Sequence, residues 1–477
     1  MSRWQIICAV AVLTAHPPVL LSAQQPRPWQ AADYYRLTTV GDPQLSPDSR
    51  RVAFVVTTVV EDKDRRHNEI WMASTDGAAP PYRYTSPATE ASNPSWSPDG
   101  SLLAFTSRRD VVAEDTEASD DVWFLRTGAP GGEAFQIRGV HAMPTFSRDG
   151  RWLLYAWRGP EPDSLKQQPW RNRVSPTAIT LGPDPKRFDG RVYTSIPIVA
   201  DERGFIPPRE TRRPSNLYVV PLAGGEPRRL TSGPFSQRDA AWAPDGATIA
   251  FVQDSTDTSE VRTQARPALY LVSVATGAIR PLPTGFVEST DPAWSPDGRT
   301  IAFACSAGRG QENDICVIPA GGGAARNLTR EWSLDPGAPS WSPDGKTIYV
   351  SAATRGNVHL FAVPAAGGPV RQVTTGERQL RGFSRSADGR RLAYSASDIT
   401  HPTELFVANR DGRAERRLTS FNDSLLAAVA LIPADTFWFT GVGGLKIQGW
   451  LMRPHGYQAG KRYPLVLSIH GGPHSNY

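Results

Sequence analysis

A short turn motif that recurs seven times along the chain constrains the fold more than any other feature. Its full form is Trp-Ser-Pro-Asp-Gly followed by an apolar run, as at 294–303. Proline presets φ, aspartate hydrogen-bonds to its own backbone and glycine accepts a positive φ, so the motif predicts a tight turn between two strands. The seven motif aspartates are Asp48, Asp99, Asp149, Asp245, Asp297, Asp344 and Asp388.

A second predicted hairpin follows each turn. It begins at segments such as 69–71 (Glu-Ile-Trp) and ends in a short strand of the Arg-Leu-Thr type, as at 417–419. Successive motif aspartates are 51, 50, 96, 52, 47 and 44 residues apart. Repeated four-stranded units of about 40–50 residues are typical of β-propellers. The sequence therefore predicts an all-β fold, with a seven-bladed β-propeller over 24–420. Four motif tryptophans are expected to pack between blades: Trp96, Trp242, Trp294 and Trp341.

The spacing of 96 residues marks an insertion in the third unit. The additional residues, 158–215, lie between the two hairpins of that unit and are rich in proline and arginine. They contain neither half of the repeat, which excludes an eighth blade. Long excursions inside compact domains are usually functional or disordered. Two interpretations stay open: an excursion over one propeller face that contacts substrate or the next domain, and a plain surface loop.

Residues 1–23 predict a secretory signal peptide. Arg3 supplies a positive charge, 4–13 form a short apolar run, and small residues stand at 19–23. The alternative is a disordered or buried N-terminal segment. The apolar run is shorter than the ~20 residues that a membrane-spanning helix needs, and no other segment is suited to span a membrane. We therefore expect a periplasmic or secreted protein without membrane contact after removal of the signal.

Charge and side-chain patterns exclude several classes of partner. The formal net charge is +5, and basic pairs such as Arg416-Arg417 are dispersed among turn residues and acids. This pattern indicates solvated hairpin tips rather than a nucleic-acid groove. The histidines are dispersed and no Cys-x-x-Cys pair occurs, so we expect no metal ion and no cofactor.

Two cysteines remain after the predicted signal. Cys305 and Cys316 lie on adjacent predicted strands joined by a turn-rich stretch that contains Gly308 and Gly310. In an oxidising compartment such a pair can form a cross-strand disulfide. The alternative is a pair of buried thiols.

A different pattern begins after Thr419, and residues 421–477 predict a linker and the first strands of a truncated α/β-hydrolase domain. Strands are predicted at 437–440 and 445–452, followed by a polar loop and an apolar, buried type of strand at 463–469. That strand leads into three candidate catalytic residues, His470, Gly471 and Gly472. An apolar strand that ends in His-Gly-Gly is similar to the loop that forms the oxyanion hole of α/β-hydrolases. The alternative is a glycine-rich turn.

The propeller repeats, the segment 446–454 (Lys-Ile-Gln-Gly-Trp-Leu-Met-Arg-Pro) and the segment 463–473 together resemble the prolyl oligopeptidase family of serine peptidases. Within it, the chain is most similar to the acylaminoacyl-peptidase and dipeptidyl-peptidase branch. The resemblance implies a propeller that covers an α/β-hydrolase domain and admits peptide substrates by size. It also implies that His470 helps to hold the oxyanion.

The chain departs from that family's pattern in its catalytic residues. The family nucleophile lies in a Gly-x-Ser-x-Gly elbow, and no such segment occurs in this sequence. Because a serine hydrolase needs nucleophile, base and oxyanion donors together, the chain is predicted to be inactive as given. The dipeptidyl-peptidase-IV-like members also have a Glu-Glu dipeptide, which is absent here and weakens a dipeptidyl-peptidase assignment.

Two functions stay in competition. The first is the substrate-gating propeller of a secreted serine peptidase that hydrolyses short peptides and lacks its hydrolase domain in this chain. The second is a stand-alone periplasmic propeller that binds protein partners, similar to the propeller of the Tol system. Residues 445–477 favour the first, because a binding propeller has no use for a hydrolase strand and an oxyanion loop. Proteases are expected to cut between about 422 and 463 and to leave a resistant core.

Overall fold

The computed structural model describes residues 26–109, 121–128, 132–159, 199–200, 204–205, 214–256, 265–308 and 311–469. Strands dominate this part of the chain, and its helical elements are short: Ala31–Arg36, Glu61–Lys63, Asp423–Ala428 and Val442–Gly444. The all-β prediction is confirmed. The predicted signal peptide at 1–23 lies outside the described residues.

Each repeat of the sequence forms one antiparallel set of strands, which we call a blade and number in chain order. Blades 6 and 7 are further joined into one sheet, because Val358 pairs in parallel with Gln379. Blade 1 comprises Thr39–Leu45, Arg51–Val60, Arg65–Ser74 and Tyr82–Arg83. Blade 2 comprises Glu90–Trp96, Leu102–Arg108 and Asp121–Arg126. Blade 3 comprises Thr145–Phe146, Trp152–Trp157, Asn216–Pro221 and Arg228–Arg229. An isolated bridge between Phe124 and Phe135 stands where blade 2 would have its fourth strand.

Blades 4 to 7 follow the same order of strands. Blade 4 comprises Gln237–Trp242, Thr248–Thr256, Ala265–Ser273 and Ile279–Pro281, and blade 5 comprises Glu288–Trp294, Thr300–Ser306, Asp314–Pro319 and Arg326–Asn327. Blade 6 comprises Ser340–Trp341, Thr347–Thr354, Asn357–Pro364 and Arg371–Gln372, and blade 7 comprises Gln379–Arg385, Arg391–Ser397, Glu404–Asn409 and Arg416–Arg417.

The turn motif is held by a fixed set of hydrogen bonds, as blade 5 shows. The Ser295 hydroxyl donates to Asp297 Oδ1 (2.6 Å), which also accepts from the Arg299 amide (3.1 Å). Ser295 Oγ accepts from the Thr300 amide (2.9 Å), and Gly298 has a φ of 70°. Serine, aspartate and glycine each satisfy or shape a different part of the turn, although Ala243 takes the serine position in blade 4 and Ser49 takes the glycine position in blade 1.

The threonine of the Arg-Leu-Thr segment has an equally regular role. In blade 5 the Thr329 hydroxyl accepts a hydrogen bond from the Ile315 amide at 2.9 Å and donates to Asp314 Oδ1 at 2.8 Å. This joins the segment after the fourth strand to the beginning of the third strand. The equivalent hydroxyls belong to Thr85, Thr231, Thr374 and Thr419.

Apolar clusters fill the spaces between neighbouring blades. One cluster combines Phe303 and Ile318 of blade 5 with Val252 and Leu271 of blade 4, all at most 1% exposed. The motif tryptophans lie at these contacts, and each donates its indole N–H to a carbonyl in the first strand of the preceding sheet in the ring. Their acceptors are the carbonyls of Gln44, Thr145, Ala241 and Ala293. The prediction that these tryptophans pack between blades is confirmed.

Contacts between blade 7 and blade 1 close the ring. Phe54 of blade 1 and Leu405 of blade 7 share a buried apolar cluster. The Leu45 amide donates to Ser384 Oγ at 2.9 Å. Asn422, which is 1% exposed, accepts from the Thr38 amide at 3.0 Å and donates to the Thr38 carbonyl at 2.8 Å. Among the described residues each blade takes its strands from its own repeat, so side-chain contacts and the pairing of the flanking segments join the ends, not a shared strand.

Beyond blade 7 the chain folds back along its own N-terminal segment. Val429–Ala430 pairs in parallel with Arg27–Pro28. A hairpin follows, in which Ala434–Thr440 pairs with Lys446–Met452. The strand predicted at 445–452 is therefore confirmed, but the strand predicted at 463–469 is wrong for the described conformation. Residues 453–469 have no sheet partner and are exposed, and without a neighbouring strand an apolar run has no ladder to join.

Cys305 and Cys316 form a disulfide across the second and third strands of blade 5. Their Cα atoms are 5.9 Å apart, and both residues are buried in the cluster between blades 4 and 5. Among the helices of the described chain, none is long and apolar enough to cross a membrane.

Candidate functional site

The strand order gives the ring two faces with different chemistry. The Ser-Pro-Asp-Gly turns lie on one face, because they join the first and second strands of each blade. Connections between the second and third strands, and between successive blades, lie on the opposite face, which we call the linker face. The segments 26–38 and 418–433 adjoin blades 1 and 7 on this face.

The hairpin of residues 434–452 docks on the linker face at blade 6. Gln448 Nε2 donates to the carbonyl of Arg355 at 3.3 Å. The Trp450 ring lies against Gly356, so closely that a Cβ on residue 356 would come 2.2 Å from it. Gly356 also has a φ of 79°, which disfavours other residues. Both the contact and the backbone therefore require glycine here.

The other side of the hairpin presents an apolar surface. Strand alternation places Trp450 and Gln448 toward the propeller and puts Phe437, Phe439 and Ile447 on the opposite side. Phe437 and Phe439 stack with ring centroids 6.2 Å apart, and 46% and 49% of their surfaces are exposed. Exposed apolar patches of this kind mark surfaces that contact another protein unit.

The insertion in blade 3 leaves and returns on the linker face. Trp157 and Asn216, which flank it, are paired across the second and third strands of the blade. Within the insertion the structure describes Val199–Ala200 paired with Gly204–Phe205. The proposed contact of 158–215 with substrate or a next domain otherwise lies outside the described residues and stays a prediction.

A cavity of about 730 Å³ opens between blade 7, the N-terminal segment and the linker. Trp29, Leu426 and Met452 contribute apolar walls, and Asp398 and His401 contribute polar groups. Burial would raise the pKa of Asp398, but hydrogen bonds from Thr400 and His401 outweigh it and lower that pKa. The His401 ring lies 2.9 Å from Asp398 and is mostly exposed.

The first strands carry acidic residues at backbone bulges. Asp42, Asp239 and Asp291 have φ values of 46°, 51° and 53°, and Asn93 holds the same bulge position in blade 2. Burial raises the pKa of Asp42. Burial also raises the pKa of Asp239. The positive charge of Arg238 lowers that pKa, and the negative charge of Asp291 raises it further, so the pKa stays above its usual value. The inner strands of blades 1 and 4 therefore hold carboxylates in unfavourable surroundings.

The predicted catalytic residues His470, Gly471 and Gly472 lie outside the described residues, so their role stays a prediction. The described chain ends at Ile469, the last residue before them. Within the described ranges no group of His, Cys, Asp and Glu side chains is arranged to hold a metal ion. Sequence reasoning missed the contact between Gly356 and Trp450. The one feature of the sequence that pointed to this contact was a glycine in a two-residue connection between strands.

Comparison with known proteins relates this architecture to peptidases. A family model described as the TolB β-propeller domain matches residues 261–426. The chain is 26% identical to Uncharacterized peptidase YuxL of Bacillus subtilis, over 94% of this chain and 67% of that protein. It is 23% identical to dipeptidyl-peptidase 5 of Porphyromonas endodontalis, over 92% of this chain and 62% of that protein. The chain thus spans about two thirds of the length of these relatives.

A solved structure supports the same fold. The acylaminoacyl peptidase of Pyrococcus horikoshii superimposes with a TM-score of 0.65 at 18% identity, over 90% of this chain and 59% of that one. The similarity to peptidases, the propeller family model and the shared fold agree with one another. The chain is therefore similar in sequence to these curated peptidases, and its described part has a β-propeller fold like that of the acylaminoacyl peptidase.

Proposed function

We propose that this chain is the substrate-gating propeller of an exported serine peptidase that hydrolyses short peptides. The observation that carries the proposal is the similarity to curated peptidases, which extends over 92% to 94% of the chain. In this proposal the propeller covers an α/β-hydrolase domain and excludes large substrates.

The linker face is the proposed contact surface for the hydrolase domain. The docked hairpin supports this assignment, because Trp450 fixes it against Gly356 while Phe437 and Phe439 point away from the propeller. A hydrolase domain packed on that side would remove the two phenylalanines from water. The ends of the blade 3 insertion, Trp157 and Asn216, lie on the same face, which supports a proposed contact of 158–215 with the hydrolase domain.

His470, Gly471 and Gly472 are the proposed oxyanion loop of this enzyme. An oxyanion donor is worth about 2.7–4 kcal/mol of transition-state stabilisation. This sequence has no Gly-x-Ser-x-Gly segment, so it offers no counterpart of the nucleophile and of the base that acts with it. Hydrolysis is therefore assigned to the propeller acting together with a hydrolase domain, and the 477 residues alone are expected to be inactive.

Export to the periplasm or the medium is part of the proposal. The disulfide between Cys305 and Cys316 supports it, because disulfides persist in oxidising compartments and are rare in the cytosol. The apolar N-terminal run at 4–13 gives independent support from the sequence.

The native protein provides the test. Antibodies raised against the 477-residue chain are used to isolate the protein from fractionated source cells, and the product is treated with a fluorophosphonate probe for active serines. We expect a labelled product larger than 52.0 kDa in the exported fraction. It should cleave dipeptidyl or acylaminoacyl substrates, and heat-denatured product should take up no label. An unlabelled product of 52.0 kDa or less would contradict the peptidase proposal.

A second candidate is a propeller that binds protein partners in the periplasm. The match of residues 261–426 to the TolB propeller model favours it. This candidate predicts that the isolated product carries no fluorophosphonate label and brings down a stoichiometric protein partner. The exposed apolar side of the hairpin argues for the first candidate, since a complete binding propeller has no need of it.

A further inference from the structure

The hairpin of residues 434–452 is attached to the propeller at its base by a short connection. The strand Val429–Ala430 pairs in parallel with Arg27–Pro28 and so holds the chain a few residues before the hairpin. Residues 431–432, which lie in no strand, border the cavity of about 730 Å³ between blade 7 and the N-terminal segment. The hairpin therefore has a fixed base and open space beside the connection, as a hinged element requires.

The hairpin itself buries little of its apolar surface. Every large apolar side chain in it is at least 40% exposed. An isolated two-stranded hairpin is only marginally stable in water. Segments with few buried contacts open more readily than the core of a protein. A small number of contacts with the propeller therefore decides whether the hairpin stays docked and ordered.

One of these contacts is fitted closely. The connection between the strands Thr347–Thr354 and Asn357–Pro364 of blade 6 has two residues, Arg355 and Gly356, with φ values of 50° and 79°. Positive φ at both positions is typical of the tightest hairpin turns. Atoms Cζ2 and Cη2 of Trp450 would lie 2.2 and 2.8 Å from a Cβ on residue 356. The indole ring therefore occupies the space that a side chain at this turn would need.

A hydrogen bond places a second residue of the hairpin on the same turn. Gln448 Nε2 donates to the Arg355 carbonyl at 3.3 Å. Side chains two positions apart on a strand lie on one face, so Gln448 and Trp450 reach the turn together. The amide contacts the backbone of the turn, which any residue at 355 supplies, whereas the ring contact requires glycine at 356.

We propose that Gly356 and Trp450 form a latch that holds the hinged hairpin on blade 6. The hairpin leads through 453–469 to the proposed oxyanion loop, so the latch also helps to position the hydrolase domain on the linker face. This second half of the proposal rests on the proposed function. Gly356 is then a positioning residue, which acts on the reaction through the hairpin and touches no substrate.

Hydrogen exchange of the 477-residue chain tests the latch. Gly356→Ala places a methyl group against the indole ring, and the amides of 446–452 should then exchange at least about tenfold faster than in the parent. Gly246→Ala, in the motif turn of blade 4, is the matched control. Gly246 has a φ of 70°, so alanine meets similar backbone strain there, but an added Cβ has no neighbour within 4 Å. The control should leave the hairpin unchanged, and equal exchange in Gly356→Ala and the parent would overturn the proposal.

A second substitution separates the ring contact from backbone strain at residue 356. Trp450→Phe removes the ring atoms that lie nearest to that residue. Adding Gly356→Ala to Trp450→Phe should therefore change the exchange of 446–452 by less than about twofold. If Gly356→Ala accelerates exchange equally in both backgrounds, strain of the turn is the cause and the proposal fails.

Trp450→Ala keeps the proposal testable if Gly356→Ala disturbs the folding of blade 6. It breaks the same contact from the hairpin side and leaves the turn of blade 6 as it is. The amides of 446–452 should exchange faster in this variant, while those of the strand Asn357–Pro364 stay protected. Unchanged exchange of the hairpin would overturn the latch.

Activity of the longer protein expected from the proposed function tests the positioning role. Gly356→Ala should lower kcat/KM about 10- to 100-fold, because small displacements of catalytic parts cost that much. Gly246→Ala should leave kcat/KM within about twofold of the parent, and adding Trp450→Phe to Gly356→Ala should restore most of the loss. Full activity of Gly356→Ala would overturn the positioning role alone. A parent that takes up no fluorophosphonate label would overturn the proposed function and the positioning role together, while the latch is decided by hydrogen exchange.

Discussion

The indole N–H of Trp294 in blade 5 donates to the carbonyl oxygen of Ala241 in blade 4 at 3.1 Å. Ala241 directly precedes Trp242, whose own indole donates to the Thr145 carbonyl of blade 3 at 3.2 Å. In blade 4, therefore, the residue before the motif tryptophan accepts a bond from blade 5, and the tryptophan itself donates one to blade 3. Gln44, Thr145 and Ala293 are acceptors at the same position of their own blades. The tryptophan of the motif fixes the spacing of blades, not the shape of a binding surface.

Replacing Trp294 with phenylalanine should destabilise the protein while keeping an aromatic ring at the contact. The partly buried Ala241 carbonyl loses its side-chain donor, and we expect a cost of about 1 kcal/mol, the lower end of what an unsatisfied buried polar group costs. Urea unfolding of parent and variant measures the difference in the free energy of unfolding. Trp438→Phe is the control, since Trp438 is 50% exposed. Equal effects of the two substitutions would argue against the role given to the indole N–H.

Ring closure should depend on Asn422. Its buried side-chain amide both accepts from and donates to the backbone of Thr38, in the manner of a paired strand. Asn422→Ala should lower the free energy of unfolding by about 2 kcal/mol or more, because two backbone groups lose their partner. Asn357→Ala removes an amide whose hydrogen bonds to the Arg355 carbonyl and to Glu377 are exposed to solvent, and it should have a much smaller effect. If hydrogen exchange at the contact of blades 1 and 7 is unchanged in Asn422→Ala, Asn422 does not close the ring.

His359 should make the protein sensitive to acid. It is 4% exposed, and burial, aided by the charge of Arg378, lowers its pKa. As pH falls below the ordinary value of about 6.5, the unfolded chain binds a proton at this residue and the folded chain does not, so stability is lost. His359→Asn, which copies Asn216 at the equivalent position of blade 3, should reduce the loss between pH 7 and pH 5. The readout is the midpoint of thermal unfolding, and an unchanged acid loss would contradict this assignment.

Asp42 should destabilise the folded state at neutral pH. Burial raises its pKa, so folding disfavours the charged form that exists above that pKa. Asp42→Asn should raise the unfolding midpoint at pH 7 by roughly 1 °C, and the gain should shrink at acidic pH, where the parent carboxyl group binds a proton. Asparagine also suits the positive φ, as Asn93 shows at the same bulge of blade 2. A gain that is independent of pH would point to a cause other than charge.

The repeat made most of the fold predictable. Pro-Asp-Gly turns and paired apolar runs determine local hairpins, and the same chemistry in each copy determines a blade. Arg385 shows where the pattern was insufficient. It stands in blade 7 at the position of the motif tryptophan, and it donates to the Trp341 carbonyl in place of an indole. Only alignment of the repeats suggests this role, because an arginine does not match the aromatic residue of the motif.

The candidate site was less predictable for physical reasons. The apolar run at 463–469 has the composition of a buried strand, but a strand needs a neighbour for its backbone hydrogen bonds, and composition does not say whether one is present. The contact of Gly356 with Trp450 joins residues 94 positions apart through one glycine and one ring, a pairing that local sequence does not encode. His470, Gly471 and Gly472 stay a prediction from the sequence.

Limited trypsin digestion tests most directly the claim that a closed propeller is followed by a docked hairpin and an exposed apolar segment. Lys461 and Arg462 are exposed and lie outside any strand, whereas Arg51 and Arg391 lie within paired strands of blades 1 and 7. Mass spectrometry of the early products should find cuts after Lys461 or Arg462 and a resistant fragment that retains both Arg51 and Arg391 intact. Early cuts at Arg51 or Arg391, with 461–462 protected, would contradict the account.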